Sequence, residues 1–150
     1  MVPTRGTDWG DNGIWRQLHL HSWDPTHKFI LDTWNSFNQM SYNCNEVIDS
    51  RSKASPQQVA EAKFIRAYAM WVILDNFGKV PVREVDEGPT VNPKILSNTE
   101  ALDFILADLE AAIPDLPPTG PTGATNKASK AAAYFLKARV LLNAGIYRGG

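Results

Sequence analysis

The sequence predicts an all-α fold: tetratricopeptide-like helical hairpins forming a scaffold with long loops. Three features carry that expectation. Apolar residues recur at three- and four-residue steps through four stretches, capping signals open two of them, and a short pattern repeats at an offset of 71 residues.

Residues 1–27 stand apart as a loop-rich N-terminal segment. Glycines at 6, 10 and 13 and prolines at 3 and 25 interrupt any helical period, leaving room only for short strand or helical pieces. Asp24-Pro25-Thr26 closes it with a turn that leads into a helix. Residues 28–150 then read as the helical scaffold. The first helix is expected over 28–50, with Ile30, Trp34, Phe37, Cys44 and Ile48 on one face and Asn35, Gln39, Asn43 and Glu46 opposite. Arg51 to Pro56 breaks it. Ser55 caps the second helix, expected over 57–76, with Pro56 at its first position and Gln58 three residues after the cap. That helix is apolar on two sides, Ala62/Ile65/Ala69/Val72/Ile73 and Phe64/Tyr68/Trp71, and Gly78 stops it.

Val80 to Val85 is extended, and 86–96 reads as a Pro/Gly-bearing loop. Ser97 and Glu100 form a capping box for a third helix over 99–113, whose stripe is Leu102, Ile105, Leu106, Leu109, Ala112 and Ile113. A Gly/Pro/Thr-rich stretch from Thr119 to Lys127 separates it from a fourth helix over 129–146. Phe64, Ile65, Leu106, Leu109, Phe135 and Leu136 are expected to be buried together. The repeat aligns Ala62-Lys63-Phe64-Ile65-Arg66-Ala67 with Ala133-Tyr134-Phe135-Leu136-Lys137-Ala138, and Leu31 and Trp34 with Leu102 and Ile105. This supports two stacked hairpins; the alternative is that two alanine-containing amphipathic helices align in this way by composition alone.

Composition excludes several classes. With 15 basic and 16 acidic side chains the formal charge is −1, so the chain lacks the basic footprint of a nucleic-acid binder. A single cysteine, Cys44, excludes an internal disulfide and a multi-cysteine zinc cage. Because it lies on an apolar stripe, it reads as a buried structural thiol rather than a nucleophile. No apolar run is long enough to span a bilayer, and no signal-peptide pattern is present. No phosphate loop, nucleophile elbow or zinc-protease motif occurs, so catalysis and a cofactor are not expected. His19 and His21 would share one side of a strand at metal-ligand spacing, with His27 nearby, but nothing completes a ligand set. Asp108 and Glu110 are assigned to a solvated helix face.

Arg5 to Trp23 is different in kind, because Trp9, Trp15 and Trp23 alternate there with short polar side chains. Sugars present apolar C–H faces ringed by hydroxyls, so an aromatic platform flanked by Asp, Asn and Arg suits them. Arg5, Trp9, Asp11, Asn12 and Trp15 are therefore the candidate carbohydrate-binding residues. Packing of Trp15 and Trp23 onto the helices as loop staples is the competing reading.

Several blocks resemble the SusD/RagB family of outer-membrane nutrient-binding lipoproteins of Bacteroidota. They are Pro3 to Trp9, Trp34 to Ile48, Glu61 to Tyr68, Asn76 to Pro81, Ile105 to Leu109 and Lys130 to Asn143, in the family's order and spacing. The run from Glu61 to Pro81 is the most specific. The resemblance implies a non-enzymatic protein at the cell surface, held at the outer membrane by a lipid anchor. It would capture oligosaccharide, or in some members peptide, for a partner SusC-like TonB-dependent transporter. Family members are several hundred residues long, so this chain is expected to be an N-terminal-half fragment of one such domain, without the lipoprotein signal and C-terminal half. It is also expected to be marginally stable or self-associating when isolated. A helical-repeat adaptor that binds a protein or peptide is the alternative.

Overall fold

A computed structural model describes residues 13–88, 90–118 and 126–149. In chain order the described elements are α1 (Ile14–Leu20), α2 (Lys28–Ile48), α3 (Pro56–Phe77), β1 (Val80–Val82), β2 (Lys94–Leu96), α4 (Asn98–Ala112), α5 (Lys130–Leu142) and α6 (Ala144–Tyr147). The expected all-α scaffold is present, with a minimal two-stranded ribbon added. The chain forms two compact units, Met1–Ser36 and Phe37–Gly150, whose boundary falls inside α2.

The helix ends follow local chemistry. Ser55 and Ser97 each accept from the backbone N–H three residues on, while Gln58 and Glu100 accept from the serine N–H in return. Gly78 ends α3 at φ 68°, a left-handed conformation in which glycine avoids the Cβ clash, and donates its N–H to Leu74. The residues after it were expected to run from an extended segment into a loop. Instead Val80, Pro81 and Val82 pair antiparallel with Leu96, Ile95 and Lys94. Three residues are too few for strand periodicity to show in the sequence, and burial of Val80 and Leu96 on the ribbon's inner side fixes the register.

Within the second unit α3 packs chiefly against α4. The core is Met70, Ile73 and Leu74 of α3, Leu102, Ile105 and Leu109 of α4, Leu136 and Val140 of α5, and Val80. Alanines 60, 62, 67, 69, 101, 112 and 133 are also buried, which lets helix backbones approach closely. Two residues placed in the expected core lie outside it: Ile65 is 39% exposed and Phe135 64%. Phe64 and Leu106 are only partly buried. The two-sided apolar pattern of α3 left its inward direction ambiguous, and the packing of α4 selects it.

Asp108 is a second correction. It is buried, not on a solvated face, and its two oxygens accept from Arg66 Nε and Nη2, both at 2.7 Å. Arg66 Nη1 donates to Asn45 Oδ1 at 2.7 Å, Asn45 Nδ2 donates to the Arg83 carbonyl at 2.8 Å, and the Arg66 guanidinium lies 4.9 Å from the Phe104 ring centre. A bidentate pair with its remaining donor satisfied is the arrangement in which a buried charge is tolerated. Glu110 remains exposed and accepts from Lys137 at 3.0 Å. The expected fourth helix divides at Asn143, and α6 is clamped back: Tyr147 Oη donates to Asp75 at 2.6 Å and accepts from Trp71 Nε1 at 3.2 Å.

Candidate functional site

Four of the five candidate sugar-binding residues, Arg5, Trp9, Asp11 and Asn12, lie outside the described residues. Trp15 is described, and the segment around it is built by three local devices. Gly13, at φ 79°, precedes α1. His21 ends α1 in the left-handed region, with its N–H reaching Leu18 O and Ser22 N–H reaching Gln17 O. Asp24 then folds the chain back: Thr26 N–H and Oγ1 donate to its Oδ1 at 2.7 and 2.6 Å. The Thr26 hydroxyl, and next its N–H, hold the Asp24 carboxyl below the usual carboxylate range.

That reversal brings α1 beside the start of α2. Trp15 lies 4.6 Å from Phe29 between ring centres, tilted by 39°, and the His27 ring is 5.9 Å from Phe29. His27 is 6% exposed, and its Nε2 lies 3.2 Å from the Ile14 carbonyl. A carbonyl only accepts, so Nε2 donates to it, while Nδ1 is buried with no hydrogen-bond partner among the described residues. Trp15 keeps 38% of its surface exposed and Trp23 42%. Trp15 is thus packed against Phe29 and partly exposed. His27 and Phe29 are the members that sequence reasoning missed. The signal was the Asp24-Pro25-Thr26 turn, which reverses the chain between Trp15 and Phe29.

The histidine pair has a different geometry from that expected. His19 occupies the last turn of α1 and His21 its left-handed cap, with the His21 ring 5.1 Å from Trp23. They share no strand, because the short piece here is helical: α1 places His19 in its last turn and His21 at its cap. Among the described residues no three His, Cys, Asp or Glu side chains group as a metal would require. Cys44 is 6% exposed, and burial pushes its thiol up to about 11, so it is protonated and unreactive at neutral pH.

Among the described residues of the second unit, Asn43, Glu46, Val47, Ser52, Lys53, Ala54 and Gln58 line an open cleft of about 780 Å³. Its amide, carboxylate, ammonium and hydroxyl groups suit polar hydrogen bonding, but no aromatic side chain lines it. Among the described residues Trp15, Trp23, Tyr68, Tyr134 and Phe135 expose aromatic surface, and of these Trp15 and Trp23 lie in the segment rich in short polar side chains.

Comparison with known proteins gives a consistent result. The SusD-like family described as "Starch-binding associating with outer membrane" matches residues 15–127. The starch-binding protein SusD of Bacteroides thetaiotaomicron is 31% identical over 94% of the chain, which spans 26% of that protein. The structure of surface glycan-binding protein A from Bacteroides fluxus superposes with TM-score 0.75 at 28% identity, over 93% of this chain and 31% of that one. A SusD-like carbohydrate-binding protein from Bacteroides fragilis shares the fold at TM-score 0.76 and 23% identity, over 89% of this chain and 28% of that one. The chain thus spans about a quarter to a third of the length of these relatives.

Proposed function

The chain belongs to the SusD-like family, and from that premise we propose that it is part of a cell-surface protein that captures oligosaccharide for uptake. In this reading it binds sugar without transforming it. It hands the glycan to a TonB-dependent transporter of the SusC type and is held at the outer membrane by a lipid anchor. No helix among the described residues is long and apolar enough to cross a membrane, which suits attachment from outside the bilayer.

The observation that carries the proposal is the partly exposed Trp15 backed by Phe29, in a segment shared with Arg5, Trp9, Asp11 and Asn12. A tryptophan face stabilises the C–H face of a pyranose ring, and the short polar side chains pair with its hydroxyls. Backing by Phe29 restricts the indole before the sugar arrives, so less conformational entropy is lost on binding. The starch-binding relative makes an α-linked glucan the first ligand to try.

Calorimetry with maltoheptaose and a panel of β-linked glucans tests this. Trp9→Ala and Trp15→Ala should each weaken binding by about 1–3 kcal/mol, the scale for one large apolar side chain. Unchanged affinity together with a lowered melting temperature in both variants would make the tryptophans structural staples and place the sugar elsewhere.

A further inference from the structure

Two side chains of the second unit occupy positions that local chemistry disfavours, and both line the same cleft. Glu46 lies in the last turn of α2, at the negative end of the helix dipole, and no basic residue in that turn offsets it. Lys53 follows the single turn Ser50–Ser52 at φ 55°, in the left-handed region where a Cβ is crowded. Gly78 adopts the same region after α3 without that crowding. Neither charge is compensated, because the ion pairs among the described residues include neither Glu46 nor Lys53. Local costs of this kind concentrate at binding sites, where a ligand supplies the missing partner.

The rest of the lining adds hydrogen-bond donors. Asn43 Oδ1 accepts from Gln39 Nε2 at 2.7 Å and Gln58 Oε1 from Ser55 N–H at 2.8 Å. Each amide thereby keeps its NH₂ group for a ligand. Ser52 Oγ is already engaged, donating to the Val47 carbonyl and accepting from Ala54 N–H. The Val47 side chain, 38% exposed, supplies a small aliphatic surface. One unpaired carboxylate and one unpaired ammonium suit a ligand that itself carries both charges. Glu46 and Lys53 flank one tight turn, which suits a short zwitterion better than an extended chain.

We infer that this cleft binds a free α-amino acid whose side chain carries a hydrogen-bond acceptor. Glu46 takes the ammonium, while Lys53 and the Gln58 amide take the carboxylate through charge-assisted bonds. Val47 lies against the ligand's aliphatic carbons. Asn43, one turn before Glu46 on α2, donates to the side-chain acceptor. The site shares no residue with the tryptophan segment, so it stands or falls apart from the sugar-binding proposal.

Nuclear magnetic resonance of the ¹⁵N-labelled chain, titrated with L-glutamine, tests the inference. Saturable shifts are expected at the amides of Glu46, Lys53 and Gln58. N-acetyl-L-glutamine lacks the ammonium and L-glutamine amide lacks the carboxylate, so each should bind about 10-fold more weakly or worse. Glu46→Gln and Lys53→Gly should weaken L-glutamine binding to the same degree. Both variants should nevertheless melt higher than the parent, Lys53→Gly by about 2–4 °C, because each removes a local cost. Shifts that only grow linearly with concentration overturn the inference, as does equal binding of the blocked ligands. A lowered melting temperature in both variants would make the two residues supports of the turn and would also overturn it. Glycerophosphoethanolamine provides the last arm: tighter binding than L-glutamine at the same amides would make a lipid headgroup the occupant, and the amino-acid assignment would fall.

Discussion

α3 and α5 stand 71 residues apart with matching sequence patterns, yet they use those patterns differently. Ala67 is fully buried and Ala138 exposed; Ile65 is 39% exposed and its counterpart Leu136 only 4%. The basic position is also used twice. Arg66 reaches into the interior, where it pairs through two bonds with Asp108, whereas Lys137 meets Glu110 at the surface. A repeat in sequence therefore specifies a helix and its small-residue stripe, while the number of neighbouring helices decides which side becomes core.

Removing the inner ion pair and removing the outer one should differ most. Asp108→Ala strands the Arg66 guanidinium in a buried setting and should destabilise by about 3–5 kcal/mol. Glu110→Ala, at a pair whose carboxylate is 64% exposed, should cost under about 1 kcal/mol. Urea denaturation of the two variants reads the difference directly, and equal costs would mean that the interior pair is open to water. The apolar positions should separate by a similar margin. Leu109→Ala and Leu136→Ala should each cost about 2–5 kcal/mol through lost burial and the cavity left behind. Leu142→Ala should stay within about 0.5 kcal/mol, since the side chain is already mostly in water.

The caps offer a finer version of the same contrast. Ser55 and Ser97 belong to reciprocal capping boxes, whereas Ser129 only accepts from Ala132 N–H. Ser97→Ala and Ser55→Ala should cost about 1 kcal/mol each by thermal unfolding, and Ser129→Ala less. The smallest effect at neutral pH belongs to Cys44. Burial raises its thiol from 9.0 to about 11, so its contribution to stability is full below pH 9 and fades as pH rises towards 11. Cys44→Ala should therefore flatten the loss of melting temperature between pH 9 and 11 relative to the parent. An unchanged slope would show that the thiol does not govern that window.

Helix positions, both capping boxes, the Gly78 stop and the Asp24 turn were legible in the residues, because each depends on groups within four or five positions of one another. The structural role of Cys44 was legible too, from its place on an apolar stripe. The candidate sugar-binding segment was marked by residue type alone, as tryptophans set among short polar side chains. Its geometry was not, because Trp15 and Phe29 meet only after a turn reverses the chain. The same limit applies wherever a partner is distant in sequence. Asp108 looked like surface because its arginine lies 42 residues away. The ribbon was invisible because three-residue strands are too short to show a period of two. Ile65 and Phe135 were assigned inward because each sits on a helix with more apolar surface than a single neighbour covers. Local periodicity reports that a side is apolar; only the tertiary arrangement supplies the helix that covers it or leaves it bare.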